Sequence, residues 1–356
     1  MVLTWQANLQ KRPSFLTVRG RVRTSHINNS FPLETANRLI NKCKAPGTLR
    51  NYKSIINKLG DWAEENNINT EPLSIKDVAA FVCKLANDEV PLSELSKISP
   101  SLTLLHQSQG FSTTPAVQEP YVRLLITGAK REAAERRKKP EKADCLSKKQ
   151  ILEIVAKTLL DENKQDSEIN KIKARSAFRI WFMFRTWCRF DCYQRVTVQD
   201  IFIDEDSVSI FFCKAKNDQY YEGSSCTLKV LGRENKFCPK SIIEKYFSIM
   251  DFSRTDTVEF LNCKIGIKKK KQVARAKESV SYTTALEDDK ELCAEFGIEG
   301  KITEKSFKVS GVSEAFNQGI SMEDAMYHGR WKGIQTSAIY CHQSKKKRMD
   351  VSLFTA

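Results

Sequence analysis

The densest chemistry in this chain lies in one stretch, Lys305 to Tyr340. Phe307 (or Val309), Val312 and Phe316 recur at helical spacing, so a helix with a buried apolar face is predicted to open at Lys305. Gly319 stops it. Ser321, with Asp324 three residues on, is a capping-box-like start for a second helix. Gly329 sits where that helix ends, Trp331 follows, and Tyr340 lies nine residues later on a last short helix. Lys305 and Lys308 are three apart, hence neighbours on one helix face. The Trp331 indole N–H is a donor only. A phenol of pKa about 10 is a poor nucleophile unless cations stabilise its oxyanion or a base removes its proton. Cations gathered around Tyr340 would therefore suit nucleophilic attack. The plainer alternative is an aromatic helical core with a solvated basic face.

The elements that must position this stretch come earlier. Ser147 caps a helix carrying Ile151, Ile154, Val155 and Leu159, and a polar loop follows over 161–170. From Ala174 to Arg189 the chain is apolar almost all round, which predicts a central buried helix. Arg189 at its end either pairs with Asp191 or Asp200, or is held so that its planar fork meets a phosphate. Strands are predicted at 196–203, 207–213 and 226–231, the first two joined by the Asp204–Asp206 turn. Between the second and third lies Cys213-Lys-Ala-Lys216, where a lysine is ordinarily a surface charge. Pro239 starts another helix, Lys268–Lys271 reads as a basic loop, and Ser281 caps the helix before Lys305.

Ahead of this, residues 1–33 read as a flexible basic arm. Residues 34–129 read as an all-α bundle of about four short helices. Pro46-Gly-Thr48 opens one marked by Leu49, Tyr52, Ile55, Ile56, Leu59 and Trp62. Ser74 caps another, and 91–127 reads as loops and short helices around Pro91, Pro100 and Pro115. Arg50 and Lys53 are candidate phosphate contacts on the first of these helices. Residues 130–146 read as an exposed basic linker containing Lys130, Arg131, Arg136, Arg137, Lys138 and Lys139, broken by Pro140. Such a connector would add salt-dependent affinity for a DNA backbone. The plainer alternative is a solvated linker that doubles as a nuclear address.

Composition narrows the class. The 356 residues suit two domains, 41% hydrophobic content supports real cores, and the formal net charge of +15 points to a polyanion, nucleic acid ahead of an anionic membrane surface. No run of 18 apolar residues is present, so no membrane span is expected, and residues 1–10 are too polar for a secretory signal. The 11 cysteines include no Cys-x-x-Cys. They read as reduced and mostly buried, as in a cytosolic or nuclear protein, with no zinc site.

Arg189-Phe-Asp, Val196-Thr-Val-Gln-Asp200, the lysine-bearing turn at Lys216, His328-Gly-Arg-Trp331 and Tyr340 occur in order. Together they resemble the tyrosine recombinase, or phage-integrase-like, family, nearest to the recombinases of animal Crypton- and DIRS-type mobile elements. The resemblance implies a mainly α fold with a small antiparallel β-sheet. An N-terminal SAM-like helical bundle would precede an α+β catalytic domain over 147–345, with a tail at 346–356. It implies Tyr340 as nucleophile, Arg189 and Lys308 on the phosphate oxygens, Lys216 as general acid, and Trp331 donating its N–H. Lys305 stands where the family has a histidine, Lys308 where it has an arginine, and Cys192 where it usually has a glutamate. The expected activity is metal-independent, cofactor-free breakage and rejoining of double-stranded DNA through a 3′-phosphotyrosyl bond, in the nucleus, by a dimeric or tetrameric assembly. Two alternatives stay open: a decayed, recombinase-derived DNA-binding protein, and a type IB topoisomerase-like enzyme.

Overall fold

The computed structural model describes residues 33–341 except 112, 138–142, 216, 217, 219, 221, 233, 254–257, 269 and 270. The basic arm at 1–32, Lys138, Lys139, Lys216 and the tail beyond 341 lie outside the described residues. The chain forms two compact units that divide after Pro140.

The first unit is helical: α1 (Leu33–Ile40), α2 (Pro46–Glu65), α3 (Ile75–Asn87), α4 (Leu92–Ser108) and α5 (Pro120–Glu135). Proline in the first turn starts α2 and α5, where its missing N–H costs nothing. A Ser74–Asp77 capping box starts α3. Ile55, Leu59, Phe81, Leu85, Leu95, Ile98, Val122 and Ile126 bury one core. Two expectations change. Residues 92–108, read as loops and short helices, form a single helix that carries Pro100 internally. Residues 130–135, read as linker, continue α5, because Ala129 and Ala133 bury on its inner face.

The second unit holds α6 (Lys148–Thr158), α7 (Lys171–Thr186), α8 (Phe190–Tyr193), β1 (Ile201–Ile203), β2 (Ser207–Phe212), β3 (Ser224–Lys229), α9 (Pro239–Met250), β4 (Cys263–Lys268), β5 (Lys271–Ser279), α10 (Tyr282–Glu295), α11 (Glu304–Asn317), α12 (Met322–Gly329) and α13 (Ile334–Cys341). Strands β1–β2–β3 form an antiparallel sheet in that order, and β4–β5 form a separate two-stranded ribbon. Lys268 and Lys271, expected in a basic loop, are the last residue of β4 and the first of β5, and residues 269 and 270 between them lie outside the described residues. The first predicted strand shrinks to three residues, because Val198–Asp200 coil into a 3₁₀ turn capped by Thr197.

Helix α7 is the axis of this unit, packed by α6, α9, α10 and α11. Phe178, Trp181, Phe182 and Met183 surround it with apolar contacts, and Phe178 stacks on Tyr246 with ring centroids 3.9 Å apart. It also buries cations that periodicity alone did not single out. Arg179 is fully buried; it pairs with Asp289 on α10 and donates to Asn262 Oδ1 at 2.7 Å and Ala285 O at 2.8 Å. Each of its nitrogens thereby finds an acceptor, which a guanidinium out of water requires.

Helix α11 crosses α7 at Gly311. A Cβ there would stand 2.0 Å from the Phe184 carbonyl oxygen. No side chain fits without pushing the helices apart. Gly311→Ala is expected to cost at least about 1–3 kcal/mol, seen as a lower melting temperature of the full chain.

Candidate active site

Four elements meet at the C-terminal end of α7: the 187–189 segment, α11, the α12–α13 turn and α13. Helix α7 ends with Trp187 in a left-handed conformation, φ 52°. The chain then reverses through Cys188 and Arg189, and Arg189 is the residue preceding the first turn of α8. Arg189 is half-buried; its carbonyl accepts the Cys192 and Tyr193 N–H groups, and its guanidinium has no hydrogen bond or ion pair among the described residues. The structural pairing with Asp191 or Asp200 considered above does not form; Asp200 instead caps Thr197.

Helix α11 begins one residue earlier than expected, at Glu304, with Thr303 as its cap. Lys305 is exposed, whereas Lys308 is 5% exposed. The two lysines therefore part company: three residues turn a helix through about 300°, enough to carry one in and leave the other out. Lys308 Nζ lies 5.3 Å from the Trp331 ring centroid and 5.7 Å from that of Tyr340. Those rings stack on each other at 5.2 Å, 12° from parallel. No carboxylate pairs with Lys308 among the described residues. Burial first, then the Arg189 and Arg330 guanidinium groups, push the Lys308 ammonium down to about 7. Buried Cys192 lies nearby, a position that supplies no carboxylate to hold the charge. Burial likewise pushes the Cys188 thiol up to about 12, so it stays uncharged near neutrality.

Tyr340 is half-buried on α13. Burial raises its phenol above the ordinary range, and Arg189 pulls it part of the way back. Near neutral pH it is a protonated phenol. Trp331 is buried, and its Nε1 has no hydrogen-bond partner among the described residues. An orphan indole N–H and an unpaired buried ammonium beside a phenol are groups that an arriving anion would satisfy together.

The turn that sets Trp331 was only partly legible in sequence. Gly329 is required because a Cβ would meet the Trp331 indole at 2.5 Å. The left-handed residue is the next one, Arg330, φ 54°. Its Nη2 donates to Thr186 O at 2.9 Å, and its guanidinium lies 4.3 Å from the Phe212 ring centroid. Arg330 thus ties the turn to the end of α7 and the end of β2. His328 donates Nε2–H to Arg185 O at 2.8 Å and meets Trp187 edge-on at 4.4 Å. Burial holds its imidazole below its ordinary value. Arg330 and His328 were visible in the His-Gly-Arg-Trp block, but their bracing roles depend on carbonyls more than 140 residues away.

Beneath the site, Glu304 lies 4.0 Å from Arg179 Nε, next to the Arg179–Asp289 pair. Burial and the Asp289 charge raise its carboxyl to about 9, against the pull of Arg179. One guanidinium cannot balance two buried carboxylates, so Glu304 keeps its proton. Folded Glu304 thus holds a proton that the unfolded chain releases near pH 4.3. Its contribution to stability is full below that pH, declines above it, and is gone once pH passes about 9. Glu304→Gln keeps the neutral shape, so stability across pH 5–9 is expected to fall less steeply than in the wild type, by up to about 1.4 kcal/mol per pH unit. Denaturant titrations at several pH values measure this.

The remaining candidates belong to the first unit. Arg50, Lys53 and Arg131 are exposed on α2 and α5, and Lys130 is half-buried. Arg136 bonds Glu132 at 2.8 Å, and Arg137 is exposed just past the helix.

No family model matches the chain, and no curated protein matches it in sequence. Solved structures match its fold. The XerH site-specific recombinase bound to palindromic difH substrate, in a post-cleavage complex, aligns with a TM-score of 0.58 at 11% identity, covering 85% of this chain and 78% of that one. The pre-cleavage XerH–difH complex aligns at 0.54 with the same identity and coverage. The Tn1549 transposon integrase in complex with transposon right-end DNA aligns at 0.50 and 8% identity, over 90% of this chain and 98% of that one. At such identities the likeness establishes the fold: mainly helical with a small antiparallel sheet, as in tyrosine recombinase catalytic domains.

Proposed function

We propose that this protein is a DNA recombinase that breaks and rejoins strands through Tyr340. The observation that carries the reading is the placing of two unpaired donors, Lys308 Nζ and Trp331 Nε1, beside the one phenol on α13. In the proposed step the Tyr340 oxygen attacks a backbone phosphorus, a P–O bond to tyrosine forms, and the P–O5′ bond breaks. The phenol proton passes to water, and the 5′ oxygen gains a proton as it departs. Arg189 and Lys308 hold the charge on the non-bridging oxygens and Trp331 donates to one of them. Lys216, outside the described residues, is assigned the proton delivered to the 5′ oxygen. Lys305, exposed at the rim, is assigned to proton transfer once DNA covers it. The phosphotyrosyl bond conserves the energy for rejoining, so reversal needs only a new 5′ hydroxyl.

The basic surfaces of Arg50, Lys53, Lys130, Arg131, Arg136 and Arg137 support double-stranded DNA as the partner. Self-association on DNA, nuclear location and the nearness to animal mobile-element recombinases belong to the same proposal. A second reading is favoured by two specific observations: Lys308 has no carboxylate beside it among the described residues, and Lys305 stays at the surface. On that reading the chain has kept the fold and the DNA-binding surface and lost cleavage. The test is covalent capture on a library of nicked duplexes with randomised sequence, followed by denaturing electrophoresis. A protein–DNA adduct supports the recombinase. DNA binding without any adduct supports the binding protein. An adduct that relaxes supercoiled plasmid without exchanging strands would instead indicate a type IB topoisomerase-like enzyme.

A further inference from the structure

The β4–β5 ribbon presents cations in a pattern that isolated folding does not favour. Cross-strand partners are Lys264 with Arg275 and Lys268 with Lys271, so like charges face each other twice. Directly opposed like charges destabilise a ribbon. Along β5 the exposed positions are Lys271, Val273, Arg275 and Lys277, alternating with half-buried Gln272, Ala274 and Ala276. One face therefore packs on the domain and the other carries the charge. Lys264 is neutralised by Glu278 at 2.9 Å. Lys268, Lys271, Arg275 and Lys277 have no ion pair among the described residues. Gly266 contributes to this face by its lack of a side chain: Arg275 Nε lies 2.7 Å from where a Cβ would stand, so the guanidinium spreads across the gap.

The ribbon is also fixed relative to the site. Gln272 Oε1 accepts the Lys171 backbone N–H at 2.6 Å, pinning β5 to the start of α7. Arg189 and Trp187 stand at the other end of that helix. Its 16 residues span roughly 24 Å at 1.5 Å per residue. That is about seven base pairs of duplex at 3.4 Å each.

We propose that the charged face of the β4–β5 ribbon is a second DNA contact, gripping the phosphate backbone of flanking duplex out to about seven base pairs from the phosphate at Tyr340, since the far end of β5 is held to α7 at Lys171 and its near end to Gln194. This inference rests on the recombinase reading for the position of that phosphate. The ribbon holds the duplex by charge, without reading its sequence, because four unpaired cations on one face match a row of phosphates.

The test compares the wild-type chain with a variant carrying Lys268→Gln, Lys271→Gln, Arg275→Gln and Lys277→Gln. All four positions are exposed, and circular dichroism melts check folding; Arg275→Gln alone is the fallback if the combined variant melts early. Affinity is measured across a salt series on duplexes whose flanks are shortened stepwise from either end. The expected result is a salt slope lower by about 0.9 for each phosphate that the variant no longer neutralises, or about 3.6 for four. Between 50 and 200 mM salt the variant's affinity then falls about 100-fold less than that of the wild type. Shortening one flank inward from about seven base pairs should remove the difference step by step. Equal slopes on long DNA overturn the inference while leaving covalent capture at Tyr340 intact. A variant that binds DNA normally but no longer binds an acidic protein partner also overturns it. If the wild type neither binds nor captures DNA, the recombinase reading fails as well.

Discussion

Tyr340→Phe is expected to remove covalent capture of nicked DNA, a loss of at least about 10⁴-fold, while changing DNA affinity by no more than about threefold. The ring stays stacked on Trp331, so the substitution deletes the reacting oxygen and leaves the packing as it is. Stability should hold or rise slightly, because a half-buried hydroxyl leaves the site. Tyr327→Phe is the matched control. That phenol is 75% exposed on α12 and outside the aromatic stack, so its removal should leave capture unchanged. Persistent adduct with Phe at 340 would place the nucleophile elsewhere and sink the proposed mechanism.

The second large effect concerns Lys308. The groups facing it are Arg189 and Cys188 on the reversal after α7, Cys192 on α8, Arg330 on the α12–α13 turn, and the rings of Trp331 and Tyr340. None of these is a carboxylate, and two are guanidinium groups. At pH 8 the folded, DNA-free protein thus holds Lys308 mostly as the neutral amine. A phosphate arriving beside it reverses the balance and draws a proton onto Nζ. On the proposed function, the complex with DNA would therefore hold more protons than the free protein and free DNA together. Affinity is expected to fall as pH rises above about 7, by up to tenfold per unit, until the pKa of the complex is reached. Lys308→Arg keeps its charge at every accessible pH, so its binding should lose this dependence.

Folding responds with the opposite slope. The unfolded lysine titrates near 10.4, so between about 7 and that value the unfolded chain holds the extra proton and stability rises with pH. Lys308→Met fills the same space without charge. It is expected to raise stability near pH 7 by about 2–4 kcal/mol while abolishing capture. A variant that is destabilised, or that still cleaves, would show that the buried amine is structural.

The helical punctuation around the site was readable from the chain alone. Ser321 with Asp324, Ser147 with Gln150 and Ser281 with Thr284 form the expected caps. Capping and amphipathic spacing are local interactions, so a few consecutive residues suffice to specify them. The central apolar helix was equally plain, because a segment apolar all round can only be interior. The mainly helical fold with its small sheet follows from these segments. The β4–β5 ribbon escaped notice because its lysines and arginine obscure the two-residue alternation that marks a strand.

What only the tertiary structure decided is which side chains share the site. Lys305 and Lys308 are equivalent as letters. The close crossing of α7 and α11 at Gly311 turns Lys308 inward and leaves Lys305 at the surface. The bracing of Arg330 on Thr186, and the burial of Arg179 with Asp289 and Glu304, join residues more than 100 positions apart. Spacing along a chain specifies the faces of a helix, but the depth of each face in the molecule, and with it the charge on Lys308, is set by what packs against it.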